Sequence, residues 1–511
     1  MKKSLIALAA LAATSAFAQS SVTLYGIVEA TVDVGYNRTI QATSNLQGFN
    51  GAGVAVGTVV GNAPGIGIVV PGAAALINPS SGNLTLGTSP FTQAAGTGVI
   101  TVNAASSTGT TVTSNVRKNG FRVQDGNDQG TGTSRVGFRG TEDLGGGLKA
   151  NFLMEIGLRI DDGAAPGTAG VNSSSSGGNI FGRNAWGGIS SPTFGEVRLG
   201  RQVLGSFGVQ ANSWAAGSSN GLYDAGSGTA PLMGGVRFSN AIRYMTPDFG
   251  GFKGSLMFAA PETDADTATS SSAPSAASGG NLVTTTGASR RTGVDLALEY
   301  ANGPAYIGFG YNKRDAASGT NGSNQVIAAG TPALGNNVLG GSITGYTIGG
   351  SYDLGVVRPF INYTRETQNL GSSSVFTGAT TATNTSLVTN GNASTRAYSI
   401  GLRAPLGATT LIASYGNAKV SATGSTVASE AAGTRSFNQT LSSSRNAFQV
   451  GAQYSLSKRT MLEANYGYNK VTIDATGRTG SSVAISTDTA VSTARTNDRI
   501  SAFNVGLRHS F

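Results

Sequence analysis

Sixteen stretches of this 511-residue chain alternate apolar and polar side chains, and the connectors between them alternate short and long. The stretches lie near 22–36, 131–143, 147–162, 179–193, 195–201, 237–247, 251–260, 291–303, 305–315, 341–354, 357–368, 393–405, 408–420, 444–456, 460–472 and 499–511. Short turns cover 143–147, 192–195, 247–251, 302–304, 353–355, 405–407 and 456–458. Long segments cover 37–130, 163–178, 202–236, 261–290, 316–340, 369–392, 421–443 and 473–498. Period-two alternation gives each strand one apolar and one polar face. A soluble sandwich has no reason to place every long loop at one end of a meander. A membrane barrel has one, because its short turns and long loops lie on opposite sides of the bilayer. The fold expected is all-β: a 16-stranded antiparallel transmembrane β-barrel with short periplasmic turns and long extracellular loops.

The segment 134–159, SRVGFRGTEDLGGGLKANFLMEIGLR, shows the pattern most fully. Val136, Phe138, Leu148, Ala150, Phe152, Met154, Ile156 and Leu158 share one parity; Arg135, Arg139, Thr141, Lys149, Asn151, Glu155 and Arg159 share the other, with Leu153 the exception. The Glu-Asp-Leu-Gly-Gly-Gly run at 142–147 supplies the turn, since glycine tolerates positive φ.

Composition narrows the class. Lys2 and Lys3, the apolar run 5–13 and Ala16-Phe17-Ala18 read as a signal peptide over 1–18, leaving 19–511 as the barrel. No segment is apolar over the roughly 20 residues a membrane helix needs. The chain has no cysteine, which excludes disulfide staples and thiolate metal sites. Without Lys2 and Lys3 it carries 32 basic and 25 acidic residues. Export removes nucleic acid as a partner and leaves small anions or lipid headgroups. One histidine and no clustered Asp/Glu/His spacing predict no active site, metal or cofactor. The long segments are rich in Gly, Ser, Thr, Ala and Asn and read as mobile surface. In the first of them, 53–77 is open between an extracellular hairpin and a disordered insertion.

Parity also assigns a polar lumen. The first strand sets Thr23, Tyr25, Glu29, Thr31 and Asp33 against Val22, Leu24, Val28, Val32 and Val34. Charge is cheap in a wet lumen and costly in hydrocarbon, so Glu196, Arg198 and Arg243 point inward. In the last strand Phe503, Val505, Leu507 and Phe511 oppose Asn504, Arg508 and Ser510, while His509 has the apolar parity and belongs at the interface. Tyr25, Tyr36, Tyr244, Phe249, Tyr300, Tyr311, Tyr352, Tyr363, Tyr466, Tyr468 and Phe511 are expected in two interfacial girdles.

SSVTLYGIVEATVDVGY, SRVGFRGTEDLGGGLKANFLMEIGL, FGRNAWGGISSPTFGEVRLGRQ, NAIRYMTPDFGGFKGSLMFA and the terminal VGLRHSF together resemble the Gram-negative porin family, specifically its trimeric general-diffusion members of β-proteobacterial type. The first long loop is longer than that family leads one to expect. The resemblance implies an outer-membrane location and a homotrimer in lipid. It implies passive passage of small hydrophilic solutes and ions, and a terminal aromatic, Phe511, read by the barrel assembly machinery. It also implies that the third long loop, 202–236, folds into the barrel as a constriction. Asp224 is that loop's single acidic residue, and it would face lumenal Arg135, Arg139, Arg159, Arg198 and Arg243, with Glu155 among the pore-lining groups. Arginine stays protonated at any relevant pH, so an anion-leaning field is expected. A substrate-specific channel, with Phe207, Trp214 and Tyr223 as its only loop aromatics, and a surface adhesin presenting long loops are the alternatives.

Overall fold

The computed structural model describes residues 21–46, 58–62, 65–70, 73–77, 84–87, 99–101, 110–124, 134–160, 180–215, 237–260, 268–272, 283–287, 292–316, 334–338, 341–377, 385–430, 433–481 and 490–511. Sixteen strands form the wall. They are β1 (Ser21–Leu46), β2 (Arg135–Gly145), β3 (Leu148–Gly157), β4 (Asn184–Ser191), β5 (Gly195–Val203) and β6 (Arg237–Met245). Then come β7 (Phe252–Ala259), β8 (Gly293–Asn302), β9 (Ala305–Ala316), β10 (Gly341–Tyr352) and β11 (Arg358–Thr377). The circuit ends with β12 (Thr385–Leu406), β13 (Thr409–Glu430), β14 (Gly433–Ser455), β15 (Thr460–Ser481) and β16 (Ala490–Ser510). Each pairs antiparallel with its neighbour, and β1 closes the barrel on β16 in register Val28↔His509 and Val32↔Val505. The leader expected over 1–18 lies outside the described residues.

The faces are inverted relative to a soluble protein. Val22, Leu24, Leu199, Ile242, Leu256, Ile400 and Val505 stand exposed on the outside, while Glu29, Thr31, Asp33, Asp295, Asn312, Thr364 and Asn504 are buried within. This is the arrangement hydrocarbon outside and polar groups inside require. At the short-turn end, Gly145, Gly146 and Gly147 take φ of 84°, 60° and 81°, conformations open to glycine at little cost. The Asp143 carboxylate accepts the Gly145 N–H at 2.9 Å.

Three expectations change. The segments 369–392, 421–443 and 473–498 are largely strand rather than loop: β11–β16 run 20 to 23 residues, so β13 and β14 continue in register from Thr409↔Tyr454 to Glu430↔Gly433. Beyond the membrane neither face must be oily, so the hydrophobic period fades although Thr and Val still favour strands. Tyr25 is not in a girdle: it has the inward parity and donates its hydroxyl to Glu155 Oε2 at 2.8 Å. Tyr244, Phe249, Tyr352 and Phe511 do stand exposed at the short-turn end, and Tyr466 at the other. Within the first long segment, Thr58–Asn62, Gly65–Val70, Ala73–Ile77, Leu84–Gly87 and Val99–Thr101 form a separate five-stranded antiparallel sheet. Thr110–Gln124 then pairs along the upper half of β1, in line with β2 below it.

Candidate functional site

The chain leaving β5 turns into the barrel instead of away from it. Leu204 is buried, and the helix α1 (Gly205–Asn212) follows directly. Asp295, on the inner face of β8, receives the first turn of that helix. It accepts the Gly205 N–H at 2.7 Å, the Ser206 N–H at 3.2 Å and the Ser206 hydroxyl. A carboxylate there satisfies amides that lack helical partners and opposes the positive end of the helix. Asn312 of β9 donates to Ser206 Oγ at 3.2 Å, and Gln210 donates to Thr364 Oγ1 of β11 at 3.1 Å. Arg243 of β6 donates to the Val203 carbonyl at 3.1 Å and to Ser255 Oγ of β7 at 3.0 Å.

Glycine makes room for this segment. A Cβ on Gly310 would lie 2.6 Å from the Ser206 Cα, and one on Gly308 2.8 Å from Val209. Gly349 and Gly401 leave the same kind of space for Ser213 and Ala215. Residues 204–215 therefore cross the inner faces of β7 to β12 where glycines leave room between the polar side chains that hold them. The crossing ends on Trp214, which is buried against Ala397 of β12 and Ala418 of β13 and meets Phe207 edge-on at a ring separation of 6.1 Å.

Across the lumen the other wall is rich in arginine. Glu155 on β3 is held between Arg135 of β2, at 3.5 Å, and Arg183, just before β4. Arg237 lies within electrostatic reach of Glu155, and of Arg183, Arg201 and Arg135. Arg201 is tied to the Gly182 carbonyl at 2.7 Å and to Ser239 Oγ at 2.6 Å. Arg198 pairs with Glu196 at 2.8 Å and lies 4.0 Å over the Trp186 ring, which fixes the guanidinium plane.

The expected pore residues fall in different places. Arg135, Glu155 and Arg198 share the inner face of β2–β5. Arg243 braces the inserted segment from below. Arg139 is exposed toward the short-turn end, 5.3 Å over the Tyr25 ring. Arg159 lies past the end of β3, and Asp224 lies outside the described residues. Phe511 exchanges backbone hydrogen bonds with Gly26, each 3.0 Å, and a Cβ on Gly26 would enter its ring. Sequence reasoning passed over Arg183 and Asp295, which meet their partners only across strands. The glycines of the crossing carry a visible signal, since Gly308, Gly310, Gly349 and Gly401 all have the inward parity. Among the described residues no group of three or more His, Cys, Asp and Glu is placed to hold a metal.

Comparison with known proteins gives a consistent picture. A family model for Gram-negative porins matches residues 4–474. An outer membrane porin of Bordetella pertussis is 28% identical over 347 residues, 66% of this chain and 77% of that protein. Outer membrane porin protein 32 of Delftia acidovorans is 40% identical over 139 residues, 26% of this chain and 36% of its own length. Among solved structures, an anion-selective porin from Comamonas acidovorans superposes with a TM-score of 0.42 at 21% identity, covering 96% of this chain and 100% of that one. The chain belongs to the Gram-negative porin family, as an outer-membrane channel for passive diffusion.

Proposed function

We propose that this channel passes small hydrophilic solutes with a preference for anions, set where residues 204–215 narrow the lumen opposite the arginines of β2–β5. The observation that carries the reading is the sharing of one carboxylate, Glu155, by Arg135 and Arg183. One negative charge between two permanent positive ones leaves that wall net positive, and a charged ring of one sign biases which ions enter. Arg198, oriented by Trp186, stands on the same side with its charge balanced by Glu196. Asp224, the single acidic residue of 202–236, is the acidic counterpart in this scheme. A homotrimer, export through a leader at 1–18 and recognition of Phe511 by the assembly machinery complete the proposal. The resemblance to trimeric porins and the terminal aromatic support them.

The test is reconstitution of the full chain in a planar bilayer with a salt gradient. Discrete conductance steps and a reversal potential of the sign set by anion flow are expected. Absence of conductance would remove the diffusion channel, and a cation-signed potential would remove the arginine wall alone.

A further inference from the structure

On the outer surface of the long-stranded arc, three strands pass from oil to charge, in two-residue steps on β11 and β12 and four-residue steps on β13. β11 presents Ile361, Tyr363 and Arg365; β12 presents Ile400, Tyr398 and Arg396; β13 presents Leu411, Tyr415 and Lys419. Ile361, Ile400 and Leu411 are exposed on the hydrocarbon face. Tyr363, Tyr398 and Tyr415 form the aromatic belt above them, with Tyr398 and Tyr415 rings 6.3 Å apart. Directly above that belt the register pairs Arg365 with Arg396 and Arg396 with Lys419.

Three cations thus stand side by side across three strands. Like charges directly opposite each other destabilise a sheet. Among the described residues none of the three has an ion-pair partner. The nearest acid on β11, Glu366, has the inward parity and is buried, and Asp474 on β15 pairs with Arg495 at 3.5 Å. Besides the belt tyrosines, the side chains flanking the triplet on this face are Tyr346, Thr367, Ser394, Asn417, Ser421 and Ser444, none of them acidic. Lys470 and Arg499, paired cross-strand on β15 and β16, continue the basic belt.

An anion seated between these groups converts mutual repulsion into attraction. The position selects its kind: the cations lie at headgroup depth on the long-loop side, where a phosphate can bridge guanidinium groups while its acyl chains follow the apolar strands below. We infer that Arg365, Arg396 and Lys419 form a docking site for the phosphate of a phosphorylated lipid in the outer leaflet.

The experiment uses the full-length barrel, delipidated in detergent and titrated with a diphosphorylated glycolipid or its dephosphorylated counterpart, with bound lipid counted by native mass spectrometry. The wild type is expected to favour the phosphorylated form by roughly a hundred-fold, which is about 1 kcal/mol for each of the three cations at about 1.4 kcal/mol per tenfold. The triple variant Arg365→Gln, Arg396→Gln, Lys419→Gln should lose that preference. Arg365→Lys with Arg396→Lys should keep most of it, and both variants should show wild-type conductance because the residues face away from the lumen. Equal affinity for the two lipids, or retention of the preference in the triple variant, overturns the site. Displacement of the lipid by sub-millimolar inorganic phosphate overturns the lipid as occupant. A change of oligomeric state without a change in lipid count would instead assign the patch to contact between copies.

Discussion

One arc of the barrel, β2–β10, is built from strands of 8 to 12 residues, while β11–β16 and β1 use 20 to 26. About nine to eleven tilted residues cross the hydrocarbon, so the short arc ends near the membrane boundary and the long arc carries as much strand again above it. The two stretches of strand are held differently. In the membrane, an oily exterior and a fully bonded backbone leave no alternative to pairing. Above it, the ladder is helped by an inner cluster of Ala393, Ala422, Leu441, Val471 and Ile473. The arcs also divide the labour of the channel. The short arc carries the arginines around Glu155, and the long arc receives the far end of the inserted segment at Trp214.

The largest expected difference between the arcs is in tolerance to shortening. Deleting Asn151 and Phe152 together with their partners Gly188 and Gly187 should abolish the folded barrel, read on gels as the loss of a band whose mobility shifts on heating. Replacing 424–439 by Asn-Gly, which joins the paired Thr423 and Thr440, should leave folding and conductance intact. If both deletions behave alike, the division into membrane and overhang is wrong.

Next in size is the seating of the inserted segment. Gly310→Val drives a side chain into Ser206 and should cost about 1–3 kcal/mol by overpacking. It should lift α1 from the wall and raise the single-channel conductance and its noise. Asp295→Asn should move conductance the same way by less, because the cap weakens but its shape remains. Leu441→Ala probes the overhang. It should cost about 2 kcal/mol, the low end for a buried leucine. The expected readout is faster tryptic cleavage at Arg435 with unchanged conductance.

The smallest effect lies in the β6–β7 turn. The Gly251 N–H and then Lys253 hold the Asp248 carboxyl below its ordinary value. A depressed folded value means the contribution is present above the unfolded pKa of about 4 and is lost as pH falls through the folded value. Asp248→Asn should therefore lower the urea midpoint slightly at neutral pH and not at pH of about 2. A loss of equal size at both values would place its cause elsewhere.

What the sequence disclosed follows the solvent. Every membrane-crossing strand was legible because the lipid imposes oil on alternate residues, as in Phe138, Phe152 and Leu256. The seven short turns were marked by glycine, proline or, at Ser457, a hydroxyl that accepts the Thr460 N–H at 3.0 Å. The overhang was not legible, because Ser421 and Thr423 stand against water on a face that needs no oil. The site was legible one residue at a time. Arg135, Glu155 and Arg198 carry the inward parity, but the sharing of Glu155 joins residues 20 and 28 positions apart through the β2–β3 and β3–β4 registers. Asp295 reads as one more inward carboxylate until Gly205 is seen beside it. Tyr25 shows the opposite failure, since an aromatic near a strand end is a girdle residue only when its parity faces lipid.

The central claim is that the arginines sharing Glu155 set the ion preference of the channel. Its most direct test is the reversal potential of Arg135→Glu with Arg183→Glu in a planar bilayer under a salt gradient. The account predicts a shift toward cations, with conductance steps still present. An unchanged reversal potential in a conducting, folded double variant would contradict it.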